Sequence, residues 1–319
     1  MTQNSLTTWV LKRKYFLIKI TRALLTGFII LILSFILMRA SGNPAEIYLG
    51  SEATDEAVAY FNHEWGLDRS ISHQFISYLG NILRFDFGNS LLKKQPVTQI
   101  FKQHLGPTLS LMIPVALLAI TGGIFFGMVA ARNYKKPLDT GLMIFTTIGF
   151  SLPNFFFGVL LIFLFSITLG ILPSSGNLTW KHCIMPIFTI MTADIAVFVH
   201  FTRSATLQVY NQHFIMSFRA LGISEKRILL RHVFPNASIS LLTISGFYIG
   251  SLITGAIVTE TIFSWPGLGS LLVSSMKARD FPVVQALIII FGFSIVGMNL
   301  LIDVLYGVMD PRIRKGGQS

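Results

Sequence analysis

HFIMSFRALGISEKRILLRHVFPN, residues 213–236, is a polar, basic insert between two apolar stretches, and its centre sets a helix stop directly against a helix start. Gly222 is the residue type that closes a helix at positive φ. Ser224 followed by Glu225 is the kind of pair that opens the next helix, a capping oxygen with an acid in the first turn. The insert is therefore predicted to be a short helix, a sharp bend and a second helix. Tethered to apolar segments at both ends, such a hairpin stays at the cytoplasmic surface of a membrane and presents a bent, rigid knob to a soluble partner.

The flanking composition demands that membrane. The chain has 319 residues, 52% hydrophobic and 12% charged, with a mean hydropathy of +0.66, far more apolar than a soluble domain. A span needs roughly 20 helical residues to cross a hydrocarbon core about 30 Å thick. Six segments qualify: Ile20 to Met38, Leu109 to Ala131, Leu142 to Leu172, Ile184 to Phe201, Ala237 to Phe263 and Phe281 to Met309. The third contains Pro153 and is expected to be one kinked crossing. The first follows Lys12, Arg13, Lys14 and Lys19, includes Arg22 and precedes the small residues Ala40 to Gly42. It is read as an uncleaved anchor, since the polar leader is long and no persuasive cleavage site follows.

Positive charges concentrate on the cytoplasmic side of short loops. With both termini inside, the inner segments are the leader, Arg132 to Asp139, Thr202 to Asn236 and the tail after Asp310, which together hold most of the 25 Lys and Arg residues. The net charge of +11 is thus mainly a topology signal, and a nucleic-acid partner is not expected. The one cysteine, Cys183, excludes an internal disulfide framework and a Cys-rich metal site.

The outer loop from Arg39 to Thr108 is too patterned to be a mere connector. Ile71, Phe75, Tyr78, Leu79 and Ile82 recur at helical spacing, so an amphipathic helix is expected, either packed on the spans or lying in the interface. Asp86 to Ser90 and Gln95-Pro96 read as turns. A second outer element, Phe263 to Gly269 followed by Leu271 to Met276, should be bent by its proline and glycines, with Trp265 at the headgroup level. The chain divides into 1–108, an anchor helix plus loop, and 109–319, a five-helix core carrying the insert at 202–236.

No G-x-x-x-x-G-K-[ST] phosphate loop occurs, so the chain lacks that route to bind ATP, and no cofactor or resident metal is expected. Gly267-Leu268-Gly269 lacks the third glycine of a dinucleotide fingerprint, and His63-Glu64 lacks the second histidine of a zinc helix. Four ionisable groups lie in or near spans: Asp194, His200, Glu260 and Asp303. Charge inside a bilayer is expensive, which makes Asp194, His200 and Glu260 candidates for lining a path. His200, Glu260 and Asp303 also sit near span ends, where a structural role competes. A DNA-binding helix-turn-helix could use Arg219, Lys226, Arg227 and Arg231 on phosphates, but both flanks of the insert enter the membrane.

The segment Arg219-Ala220-Leu221-Gly222-Ile223-Ser224, continuing through Leu230-Arg231-His232 to Pro235-Asn236-Ala237, resembles the cytoplasmic loop of ABC importer permeases, and within them the dipeptide, oligopeptide and nickel permease family. Further stretches agree in order: Gly66-Leu67-Asp68; Asp86 to Ser90 with Gln95-Pro96-Val97; Glu260 with Phe263 to Gly269; Arg279 to Gln285; and Asp303 to Arg312. The resemblance implies an all-α integral membrane protein of the type I ABC importer permease kind, with six transmembrane helices, cytoplasmic coupling helices and a large extracytoplasmic loop. It implies a bacterial inner-membrane location. It further implies a second, similar permease, cytoplasmic ATPases that bind the ATP, and an extracytoplasmic solute-binding protein as partners. Carried over, Arg219, Ala220, Leu221, Gly222, Ile223, Ser224 and Glu225 would meet the ATPase, and Pro235 would mark the return to the membrane. Met216-Ser217-Phe218 stands where the general signature has Glu-Ala-Ala. The implied cargo is peptides, with nickel or a metal chelate as the alternative. An ion-driven transporter is disfavoured by the lack of visible inverted repeats or paired intramembrane charges.

Overall fold

The computed structural model describes residues 3–40, 45, 49–50 and 53–309. Ser41, Gly42 and the ending Asp310-Pro311-Arg312 lie outside the described residues, as do the side chains of Lys12, Arg13 and Lys14. Every regular element among the described residues is a helix: α1 Gln3–Ala40, α2 Asp55–Glu64, α3 Ile71–Leu83, α4 Val97–Arg132, α5 Pro137–Ser151, α6 Asn154–Leu161, α7 Lys181–Tyr210, α8 His213–Ala220, α9 Glu225–Ile228, α10 Phe234–Gly255, α11 Ile257–Ile262, α12 Leu268–Lys277 and α13 Phe281–Met309. Wide π turns extend α6 over Ile162–Thr168 and link α9 to α10 over Leu229–Val233.

Five helical stretches are long and apolar enough to cross a membrane, and a sixth crossing is made if α5 and α6 count as one broken span. That pair turns through 94°, far more than the expected kink. The cause is local. Pro153 excludes the helical conformation for the residue before it, so Leu152 and Pro153 are both extended, with ψ of 124° and 131°. The pair still traverses the bundle. It starts beside α7's last turns, where Asp139 meets Arg203, and the chain beyond it reaches the opposite end, where Gly176 N–H donates to the Phe263 carbonyl at 2.9 Å.

Helices outrun their apolar windows. α4 begins at Val97 and so runs across the position where the outer loop was expected to end, and α7 runs to Tyr210 rather than Phe201. These two run in the same direction and form the tightest pair in the bundle. Cβ atoms built at Gly123 and Gly127 would sit 2.1 Å from Phe198 Cβ and 2.5 Å from Thr202 Cβ, so only glycine permits this backbone approach. The expected span to Phe263 lies within one helical stretch, Glu225–Ile262, in which a single turn residue, Ala256, still in the right-handed helical region, separates α10 from α11.

At the end away from the insert, α3 packs on α1. The Phe75 and Tyr78 rings lie 5.2 and 5.6 Å from Phe35, and the Ser34 and Tyr78 hydroxyls are 2.6 Å apart. Burial raises the Tyr78 pKa. Ile71, counted on the apolar face, is exposed. The main core at this end joins α4, α12 and α13 through Ile100, Leu268, Leu271 and Leu287.

Candidate functional site

The insert folds as its glycine dictates. Gly222 has φ of 74°. Its N–H donates to the Arg219 carbonyl at 3.0 Å and that of Ile223 to the Phe218 carbonyl at 3.1 Å, the paired bonds of a Schellman stop, with Ile223 and Phe218 packed in the same apolar cluster. α9 then starts at Ser224, whose backbone is extended but whose hydroxyl caps nothing. The Glu225 carboxylate turns back across the bend to Arg219 instead, at 2.7 and 3.4 Å. This bond raises the Arg219 pKa, and the guanidinium also lies 5.8 Å from the centre of the Tyr210 ring.

An apolar underside holds the knob in place. Ile215, Ile228, Leu229 and Val233 are buried against Ala205 and Val209 of α7 and Ala237 of α10. Phe218 stacks on His232 at 4.1 Å. The upper surface keeps Met216, Leu221 and Leu230 exposed at 63%, 75% and 51%. Three large apolar side chains left in the open beside Arg219, Lys226 and Arg227 suit a protein contact better than a solvated loop. The chain does not bend at Pro235. It stays helical from Glu225 onward, and the wide π turn directly before Pro235 makes room for a ring and a missing N–H that a regular α turn would not tolerate.

The knob's base carries an ion pair that sequence reading missed. Arg203, on α7, holds Asp139 bidentately at 2.6 and 2.8 Å, and Lys135 N–H adds a bond at 3.0 Å. The carboxylate is nearly fully buried and Arg203 partly so, with Tyr134 5.1 Å under the guanidinium. A lone acid among Arg132, Lys135 and Lys136 was the signal available. This pair locks the 133–139 loop to the helix that feeds the insert. Between them lies an open cleft of about 600 Å³ lined by Tyr134, Tyr210, Arg219 and Glu225.

The intramembrane candidates separate. Asp194 accepts the Tyr248 hydroxyl at 2.5 Å, a bond from α7 to α10. His200, one turn before Arg203, is exposed, with Nε2 3.1 Å from Thr146 Oγ1, and lines a cleft with Phe150 and Phe201. Asp303 pairs with Lys19 at 2.7 Å, tying α13 to α1.

Glu260 is enclosed completely, at 0% exposure. Its oxygens accept from Thr108 Oγ1 at 2.6 Å, Gly269 N–H at 2.7 Å and Ser270 N–H at 3.1 Å. The last two are free amides at the start of α12, where a negative charge is favoured. Thr108 in turn accepts Leu268 N–H at 2.8 Å. A Cβ on Gly267 would lie 2.2 Å from the carboxylate, so the glycine is there to let the acid in. Trp265, expected at the headgroup level, is instead 3% exposed, and its indole donates to the Pro107 carbonyl at 2.9 Å. A second buried acid at this end, Asp280, accepts Ser90 Oγ and Leu91 N–H, which docks the turn at 86–97 on the start of α13. Leu67 packs with Phe61 and Leu91 beside it. Four stretches scattered through the sequence thus meet at one end of the bundle.

Comparison with known proteins agrees with this geometry. Residues 123–315 match the family model described as the binding-protein-dependent transport system inner membrane component. Residues 13–112 match the model of the N-terminal part of the same class of membrane component. A Brucella abortus (strain 2308) permease protein named for peptide transport is 38% identical over 318 residues, covering 97% of this chain and 99% of that protein. The glutathione transport system permease protein GsiC of Escherichia coli (strain K12) is 38% identical over 290 residues, covering 91% and 95%. Among solved structures, an inward-facing form of the MetNI methionine ABC transporter aligns with a TM-score of 0.50 at 14% identity, over 65% of this chain and 97% of that one, a likeness of fold. Matched over most of its length by sequence, and built as a bundle of broken and unbroken spans with a bent insert at one end, the chain belongs to the family of binding-protein-dependent transport system inner membrane components, the permease subunits of ABC importers.

Proposed function

We propose that this permease carries peptides or small peptide-like solutes, working with a second, similar permease, cytoplasmic ATPases and an extracytoplasmic solute-binding protein. Two relatives named for peptide and glutathione transport support that cargo over nickel or a chelate. No group of three or more His, Cys, Asp or Glu placed to hold a metal ion occurs among the described residues. The basic leader, insert and tail argue for both termini on the cytoplasmic side.

The observation that carries the mechanism is the knob itself. Its underside is packed into α7 and α10, while its tip offers exposed apolar and basic side chains. A push on such a tip moves both helices as one body, because a packed core transmits displacement instead of absorbing it. ATP-driven closure of the ATPases would tilt the spans and switch the path between its two faces. Arg219 to Glu225 is the contact segment in this reading. Asp194 and His200 are the candidates to meet solute, while Glu260 anchors the outer end.

The test is Gly222→Val in the complete complex reconstituted in vesicles. A side chain at φ of 74° is strained by about 1–2 kcal/mol, and the bend should open. The complex should assemble and hydrolyse ATP, with solute uptake per ATP reduced by at least an order of magnitude. Unchanged uptake per ATP would sink the mechanism.

A further inference from the structure

A cavity of about 230 Å³ lies between α1, α3 and α13 at the end away from the insert. It is well above the ~30 Å³ that one water occupies. Two buried side-chain atoms of its lining, Arg39 Nε and Gln74 Oε1, have no hydrogen-bond partner among the described residues, while the Gln285 side chain bonds the Tyr78 phenol. The orientation of Gln74 is set, because its amide nitrogen already donates to the Leu67 and Arg69 carbonyls at 3.0 and 2.7 Å. The cavity therefore offers one unpaired donor and one unpaired acceptor. Buried polar groups are satisfied in native structures, so these two define the occupant's chemistry. It must accept a hydrogen bond at one point and donate one at another.

Charge narrows the choice further. Arg39 and Arg69 line the cavity against one acid, Asp86, whose Oδ1 already accepts Gly88 N–H at 2.9 Å, while His73 Nε2 accepts from Arg69 Nη1 at 2.7 Å. The accepting group is then an anion, and the donating group is a hydroxyl rather than an ammonium. Position supplies the rest. Leu25, Ile29, Leu33 and Ile36 form an exposed apolar stripe at helical spacing on α1, and Arg39 follows one turn later. Helix α1 packs chiefly on α13, at the margin of the bundle, which faces lipid rather than a central path.

We infer that this cavity seats the headgroup of an anionic glycerophospholipid of phosphatidylglycerol type. Its acyl chains lie along the α1 stripe, its phosphate meets Arg39, and a glycerol hydroxyl donates to Gln74. Basic side chains at a membrane surface favour anionic lipid, and a seated lipid here would wedge the anchor helix against α3 and α13.

The test uses the purified complete importer, stripped with detergent and returned to vesicles of phosphatidylglycerol mixed with phosphatidylethanolamine. Native mass spectrometry then counts retained lipid. The wild type should retain phosphatidylglycerol in preference, and Arg39→Gln with Arg69→Gln should lower that preference on the order of ten-fold. A photoactivatable phosphatidylglycerol should label peptides spanning residues 65–82 in the wild-type complex, a readout that needs no variant. Absence of that label, equal retention of the two lipids by the wild type, or an unchanged preference in an assembled double variant would each overturn the assignment. So would labelling of the same peptides by a photoactivatable peptide solute and not by lipid.

Discussion

The two ends of the bundle solve the same problem, a helix that stops and restarts, in opposite ways. At the insert end Gly222 ends α8 through its own backbone, the restart at Ser224 has no side-chain cap, and the bridging pair Arg219–Glu225 is about half exposed on both sides. At the other end the restart of α12 is capped by a fully buried carboxylate reaching across from α11 to the amides of Gly269 and Ser270. One bend is local and faces outward. The other is made of contacts from four segments and faces inward. The outward bend keeps its side chains free, whereas the platform that other elements lean on uses up its polar groups internally.

The largest effect should come from breaking the buried end. Glu260→Ala leaves the Gly269 and Ser270 amides and the Thr108 hydroxyl without their acceptor, a loss of on the order of 3 kcal/mol or more. Co-purification with the proposed second permease from membranes should fall to background, as it should for Gly267→Val, whose side chain would overlap the carboxylate. Recovery of intact complex from either variant would show that this end is less tightly built than the hydrogen bonds imply.

Next in size is the base of the insert. Asp139→Asn removes the charge that holds Arg203 and Lys135 N–H, and about 1–3 kcal/mol of stability should go with it. A lower thermal midpoint of the detergent-purified complex, with uptake weakened several-fold, is the expected result. An equal midpoint would mean the loop at 133–139 is held by packing alone.

At the tip, the comparison predicts function without stability. Leu221→Glu changes an exposed residue, so the thermal midpoint should stay put, while uptake driven by ATP should drop at least ten-fold through loss of apolar contact with the partner. Normal uptake would move the contact away from this surface. Smallest of all is Arg219→Ala. Its pair is an exposed ion pair worth about 0–1 kcal/mol, and thermal unfolding in low and high salt should differ little from wild type.

Legibility followed sequence distance. Gly222 and its flanking helices were readable because stop and start act within a few residues. The run Trp265 to Gly269 was flagged, yet its meaning was not readable. Glu260 bonds Thr108 across 152 positions, and Ser90 bonds Asp280 across 190. No local pattern announces such partners. Trp265 shows the hazard of a statistical rule, since the preference of tryptophan for headgroups yielded here to a buried carbonyl at Pro107. The right angle at Pro153 escaped for a different reason. Proline rules predict that a helix is disturbed, and the size of the turn depends on what the second half, α6, packs against.

The amino-acid sequence by itself determined that this chain lives in a membrane, roughly where it crosses, which segment stays basic and bent at one face, and which family it resembles. Those properties depend on transfer free energies and local backbone preferences, which are summed over neighbouring residues. Only the tertiary structure decided that Glu260 is an enclosed helix cap, that Asp139 and Arg203 pair at the insert's base, and that α5 and α6 meet at 94°. Each of those depends on distant backbone brought close enough to satisfy a buried charge or to exclude any side chain larger than glycine. That proximity is a property of the packed bundle.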